Sequence, residues 1–107
     1  MPTVTKVALS TEYVDVPIMA EANDGSTADV TGDSVFMAFV TPGGTVDDDT
    51  DFHLAGWEII EGIQTARCLV GPNESFVPVA GAQYDVFVKI IDLPEEPIIA
   101  AYRLYFK

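Results

Sequence analysis

Apolar and polar residues alternate along this chain in short runs, and clusters of Asn, Asp, Gly and Pro separate the runs. The clusters are mostly eight to twelve residues apart, a spacing typical of a β-sandwich or a β-barrel. No uninterrupted helical pattern of useful length fits between them. The pattern therefore predicts seven strands, at residues 4–9, 14–21, 35–40, 52–60, 64–70, 84–92 and 98–106.

Five of these runs also indicate their place or shape in a sheet. Pro17 lacks an amide donor, which predicts that the second run is an edge strand. The third run, residues 35–40, is apolar throughout and is expected to be a central strand covered on both sides. Gly56 is expected to bend the fourth run. The last two runs flank a Pro-bounded turn at residues 94–97, which predicts a hairpin.

The predicted fold is all-β, a single domain over residues 1–107 with the architecture of a seven-stranded immunoglobulin-like β-sandwich. Apolar residues make up 49% of the chain, which is enough for a packed core. The Cys…Trp…Cys pattern of antibody domains is absent, so only the general architecture is predicted. Large aromatic side chains inside the runs are assigned to the core: Phe36, Phe39, Trp57, Phe87 and Tyr102.

The charge of the chain is strongly unbalanced. Seventeen acidic and five basic residues give a formal net charge of −12. This charge argues against a nucleic-acid or an anionic membrane partner. No Lys or Arg lies between Lys6 and Arg67, where twelve of the acids lie. Two interpretations stay open, a solvated acidic surface or a molecule with one repelling and one docking side.

The N-terminus and the single cysteine bear on the cellular setting. Residues 1–6 lack the apolar run of a secretory signal, so the chain is expected to be made in the cytoplasm without a signal peptide. With Cys68 as the only cysteine, no intrachain disulfide can form. Cys68 lies inside a strand run and is predicted to be a buried thiol.

The acidic loop at residues 47–51 is the strongest candidate for a metal site. Asp47, Asp49 and Asp51 take the first, third and fifth positions of a calcium loop, and Glu58 takes the twelfth. Phe52 stands at the sixth position, where the sharp turn of such a loop requires Gly. A solvated acidic hairpin loop is therefore expected, with a weak divalent site as the alternative. No other cofactor is predicted.

No catalytic site is predicted, and the chain is expected not to be an enzyme. His53 is the only histidine, and its place beside the acidic loop predicts a surface residue with a modestly raised pKa. Paired carboxylates arise by chance in so acidic a chain, and no Gly-rich phosphate loop is present.

A Pro-flanked loop carries Phe76 and Val77, the apolar residues that fit least well into the core. A structural turn that packs back onto the sandwich is the favoured interpretation of this loop. The alternative is an apolar anchor for a neighbouring subunit. In that case Arg67, Phe76 and Val77 form the candidate interface, because interface cores combine basic and apolar side chains.

Residues 81–97 read Gly-Ala-Gln-Tyr-Asp-Val-Phe-Val-Lys-Ile-Ile-Asp-Leu-Pro-Glu-Glu-Pro. This resembles a segment of small structural proteins of tailed bacteriophages, roughly Gly-x-Tyr-x-Val-Trp-Val-Lys-Ile-x-Asp-x-Pro-Glu-x-Pro. Phe87 stands where Trp is usual. Residues 65–72 and Trp57 also fit, so the resemblance covers residues 57–106. The chain is thus similar to the immunoglobulin-like domains of phage head and tail accessory proteins.

The resemblance implies a virion structural protein and carries over no catalytic residues. The first hypothesis is a capsid decoration or head accessory protein that binds the shell in many copies, with the major capsid protein as partner; a homo-oligomer in the particle stays open. The second is a tail, baseplate or head–tail junction module that contacts host-surface carbohydrate. An adhesion module should expose aromatic side chains in a cleft, whereas a decoration protein should expose a flat docking patch.

Overall fold

The strands of the protein lie close to the predicted runs. The structure, a computed structural model, describes residues 3–19, 29–47, 50–91 and 97–107. Within these residues there are seven strands: β1 (Thr3–Lys6), β2 (Glu12–Pro17), β3 (Ser34–Val40), β4 (His53–Ile60), β5 (Ile63–Val70), β6 (Gln83–Ile91) and β7 (Ile98–Phe106). No helix occurs in the described ranges, and hence none that could span a bilayer. The prediction of an all-β chain is confirmed.

The seven strands form one mixed, nearly barrel-shaped sheet in the order β1-β7-β6-β3-β4-β5-β2. β1 lies parallel to β7, and every other pair of neighbours is antiparallel. The edge position of β2 and the central position of β3 are as predicted, but the core cluster covers only the face of β3 that carries Val35 and Met37, not both faces as expected. β6 and β7 pair as expected for a hairpin. Residues 92–96, which hold most of its predicted turn, lie outside the described residues.

Strand β4 changes its partner at Gly56, the residue at which a bend is predicted. His53, Leu54 and Ala55 pair with β3, whereas Gly56 and the residues after it pair with β5. The sheet therefore folds over along β4, and β5 comes into contact with β3 across the interior.

One hydrophobic core lies between the two halves of the folded sheet. In β2, β5 and β6 alternate residues point into this core, as the alternation along the chain predicts. Partly buried Phe39, Trp57 and Tyr102 pack against this core. The buried members are Ala8, Val14, Val16, Ile18, Val35, Met37, Ala66, Cys68, Val70, Val86, Val88, Ile90, Leu104 and Phe106.

Two aromatic residues assigned to the core lie elsewhere. Val35 and Met37 belong to the core cluster, so strand alternation turns Phe36 to the outside of the sheet. Phe87 likewise lies outside, between two inward-facing valines of β6. The prediction that Phe36 and Phe87 fill the core is wrong. An apolar run does not reveal which of its faces another layer covers.

Polar contacts tie distant strands together. The buried Asp85 carboxylate accepts a hydrogen bond from Arg103 Nε at 2.8 Å and another from the Gly43 amide at 2.9 Å. These contacts, with Arg103 the larger influence, lower the pKa of Asp85. The Tyr102 hydroxyl of β7 donates to the Asp15 carbonyl of β2 at 2.8 Å, and burial raises its pKa to about 12. This contact joins strands near opposite ends of the sheet order.

Candidate functional site

A cleft of about 480 Å³ opens where β4 leaves β3. The pairing of the two strands runs only from Val35 to Met37, so the last residues of β3 extend beyond it. The residues before β4 and the loop after β5 form the other walls. The lining consists of Phe39, Val40, Thr41, Thr50, Asp51, His53, Ser75 and Phe76.

Phe76 builds the aromatic wall of the cleft. Its ring stacks on Phe39 with centroids 4.3 Å apart, and its contact with Tyr84 is edge-on at 5.1 Å. The Gly71 amide donates to the Phe76 carbonyl at 3.1 Å, which folds the loop back toward β5. Phe76 packs against the core, and this contact favours the structural-turn interpretation over a protruding anchor.

His53 lies against this wall, with its ring centroid 5.4 Å from Phe76 and its Nδ1 2.6 Å from Ser75 Oγ. Burial lowers the pKa of His53 below its ordinary value of 6.5, and the nearby Asp51 charge acts in the opposite direction. The expectation of a raised pKa is therefore wrong. The sequence shows the acidic residues beside His53. It does not show the aromatic rings that exclude water from the imidazole.

The contact between Ser75 and His53 has the form of a nucleophile with its base. A catalytic serine also needs a third group that orients the base through a hydrogen bond. In the part of the chain that the structure describes, Asp51 acts on His53 through its charge and makes no hydrogen bond to the ring. The Ser75 contact holds the orientation of the imidazole in the cleft.

The candidate metal ligands are spread along the chain. Asp49 lies outside the described residues. The Thr50 hydroxyl accepts from the Asp47 amide at 2.9 Å, and Asp51 lines the cleft. Glu58 lies on β4 opposite Thr65. At the rise per residue of an extended strand, Glu58 is about 17 Å from His53 along β4. The structure does not bring Glu58 to the acidic loop, and no group of three or more His, Cys, Asp or Glu among the described residues could hold a metal ion.

The three candidate interface residues differ in their surroundings. Arg67 faces away from the core, with its Nε 2.8 Å from Asp15 Oδ1 and its guanidinium 4.4 Å from the Tyr13 ring centroid. Phe76 packs against the core instead. Val77 follows it in the loop and is 56% exposed.

Cys68 is a buried thiol, as predicted. Burial raises its pKa to about 11, with a smaller contribution from Glu74. Such a thiol is protonated at neutral pH and is a poor nucleophile.

A second apolar feature lies on the outside of β3, β4, β6 and β7. The strand register places Leu54, Phe36, Lys89 and Ile98 in one row across four strands, and Phe87 beside Ala38 and Ala100 in the next. The Lys89 ammonium lies 4.3 Å from the Phe52 ring centroid. Leu54 is 73% and Ile98 45% exposed. We call this surface the outer patch: Phe36, Phe52, Leu54, Phe87, Lys89 and Ile98.

Sequence reasoning missed the outer patch because it assigned Phe36 and Phe87 to the core. The signal that could have found it is the alternation itself: once Val35 and Met37 face inward, Phe36 and Ala38 must face outward.

Comparison of the chain with family models, with curated proteins and with solved structures found no match. The cleft and the outer patch are therefore the features from which a function can be argued.

Proposed function

We propose that this chain is a structural protein of a tailed-bacteriophage virion, an accessory protein that binds the capsid shell in many copies through the outer patch. The outer patch is the observation that carries the proposal. The solvated face of an antiparallel sheet normally carries polar side chains at alternate positions. Half-buried Phe36 and Phe87 occupy such positions here, and exposed Leu54 and Ile98 lie in the same row as Phe36. Contiguous exposed apolar surface marks an interaction site.

The proposal includes an immunoglobulin-like sandwich as the finer description of the fold. Two features support it besides the resemblance of residues 57–106. Strand β4 pairs first with one half of the sheet and then with the other. At the start of β6, the Tyr84 hydroxyl accepts from the Val79 amide at 3.2 Å. A tyrosine at this corner that bonds a few residues upstream is a hallmark of such domains.

A tail, baseplate or head–tail junction module that contacts carbohydrate is the second candidate. The aromatic side chains at the cleft favour it. Phe39 and Phe76 stack on each other, however, so each ring has only one face left for a sugar. Trp57 packs against the core, and its Nε1 donates to the Asp33 carbonyl at 2.8 Å. These contacts favour the shell-binding proposal, with the major capsid protein as partner.

The proposal is tested by Leu54→Asp, with Leu9→Asp as a matched control. Leu9 lies in the turn between β1 and β2 and is 86% exposed, so both changes place one carboxylate on the surface. At a docked patch that carboxylate loses its water without gaining a partner, which costs several kcal/mol. Leu54→Asp should therefore strongly reduce the number of copies per purified particle, counted by quantitative mass spectrometry. Leu9→Asp should leave it near the parent value.

Thermal unfolding of both isolated variants shows whether a variant that is missing from particles has also failed to fold. Absence of the parent chain from purified virions would contradict the virion role. Full incorporation of Leu54→Asp would contradict the outer patch as the docking surface.

A further inference from the structure

The cleft has the dimensions and lining of a binding site. Its volume of about 480 Å³ lies within the range of about 300–1,000 Å³ that is usual for ligand pockets. Phe39, Val40 and Phe76 give the cleft an apolar wall, and the other lining residues are polar and include Asp51. Apolar walls with a few convergent polar groups are typical of sites that recognise one chemical group.

The charge of the cleft is negative and is not neutralised by a basic residue in the described part of the chain. The two ion pairs there join Arg67 to Asp15 and Arg103 to Asp85, and none of these four residues lines the cleft. No Lys or Arg is among the described residues that line it. His53 does not supply a positive charge at neutral pH, because burial favours its neutral form.

We propose that this cleft binds an arginine side chain of a partner polypeptide. The Asp51 carboxylate pairs with the guanidinium, whose planar group suits a carboxylate better than a compact ammonium does. The three-carbon stem of arginine packs on the apolar wall of Phe39, Val40 and Phe76. The Thr41 hydroxyl offers an additional acceptor for the five N–H donors of the guanidinium.

The net charge of −12 supports a basic partner over a second copy of this chain. The inference does not depend on the proposed virion role, because it concerns the chemistry of the cleft alone. It is testable on the isolated chain.

The test is an NMR titration with a capped four-residue peptide that holds one arginine among glycines. Saturable shifts are expected at the backbone amides of Asp51, His53 and Ser75, with a Kd on the order of 1 mM, as suits a single side chain. The same peptide with neutral citrulline in place of arginine should bind at least about tenfold more weakly, since it loses the charge-assisted contact.

Two variants separate a local from a global charge effect. Asp51→Asn should weaken binding of the arginine peptide about tenfold. Glu58→Gln removes the same charge on β4, outside the cleft, and should leave the Kd within about twofold of the parent. Both residues are exposed, and unchanged amide spectra elsewhere in each variant establish that the fold is intact.

Equal affinities for the arginine and citrulline peptides would overturn the proposal, as would equal effects of Asp51→Asn and Glu58→Gln. Absence of shifts at the cleft would also overturn it. Shifts at the same amides with glucose, galactose or N-acetylglucosamine, and none with the arginine peptide, would assign the cleft to carbohydrate instead.

Discussion

His53 lies between two opposing influences, burial beside the rings of Phe39 and Phe76 and the negative charge of Asp51. Burial is the larger influence, so the folded protein favours the neutral imidazole. The Ser75 contact fixes the ring without requiring it to be charged. In the unfolded chain the same imidazole is surrounded by water and titrates near its ordinary pKa of 6.5.

The lowered pKa of His53 predicts a pH dependence of stability. Between the folded pKa and 6.5 the unfolded chain binds more protons than the folded protein, so the free energy of unfolding falls as the pH falls through this window. We expect the parent to lose more stability than His53→Gln when urea unfolding is compared at about pH 7 and about pH 5.5. The carboxylates contribute equally to both proteins. Identical losses in the two would contradict a lowered pKa for His53.

At the scale of elements, the strands were predictable and the cleft was not. Alternation with a period of two is a local signal, and it places Val14, Val16 and the inward residues of β5 and β6 correctly. Gly56 predicts a bend in β4, but not the change of strand partner that occurs there. The cleft combines residues from the end of β3, the start of β4 and the loop that contains Phe76. Nothing local in the sequence indicates that these three segments meet.

Gly71 shows how a single position fixes the loop after β5 against the turn before β2. Its φ of +141° is a conformation that other residues rarely adopt. A Cβ built on it would lie 2.8 Å from the Cα of Thr11 and 2.9 Å from the carbonyl oxygen of Ser10. Both neighbours are backbone atoms, so they cannot move aside as a flexible side chain can.

Gly71→Ala should therefore lower the free energy of unfolding by about 2 kcal/mol or more. Gly32→Ala is the matched control, because a Cβ there meets nothing within 4 Å and its φ is not positive. That variant should stay within about 0.5 kcal/mol of the parent. Denaturant unfolding of the three proteins measures both differences. Equal stability of the two variants would mean that the chain at Gly71 relaxes freely.

At the scale of the whole molecule, the excess of acids shapes stability as well as partner choice. The chain has seventeen acidic and five basic residues. Two of the basic residues, Arg67 and Arg103, form ion pairs with Asp15 and Asp85. The excess negative side chains repel one another most strongly in the compact folded state. Salt screens this repulsion between exposed charges. Added NaCl is therefore expected to raise the melting temperature.

Calcium should raise the melting temperature no more than NaCl at equal ionic strength. Phe52 stands where a calcium loop needs Gly, and β4 carries Glu58 away from Asp47 and Asp51. A bound ion stabilises by RT ln(1 + [L]/Kd), so a site that fills at millimolar calcium would add several degrees beyond the NaCl reference. Differential scanning calorimetry in the two salts makes the comparison. If calcium gives that additional rise, and Asp51→Asn removes it, the acidic loop is a metal site and its interpretation as a solvated loop is wrong.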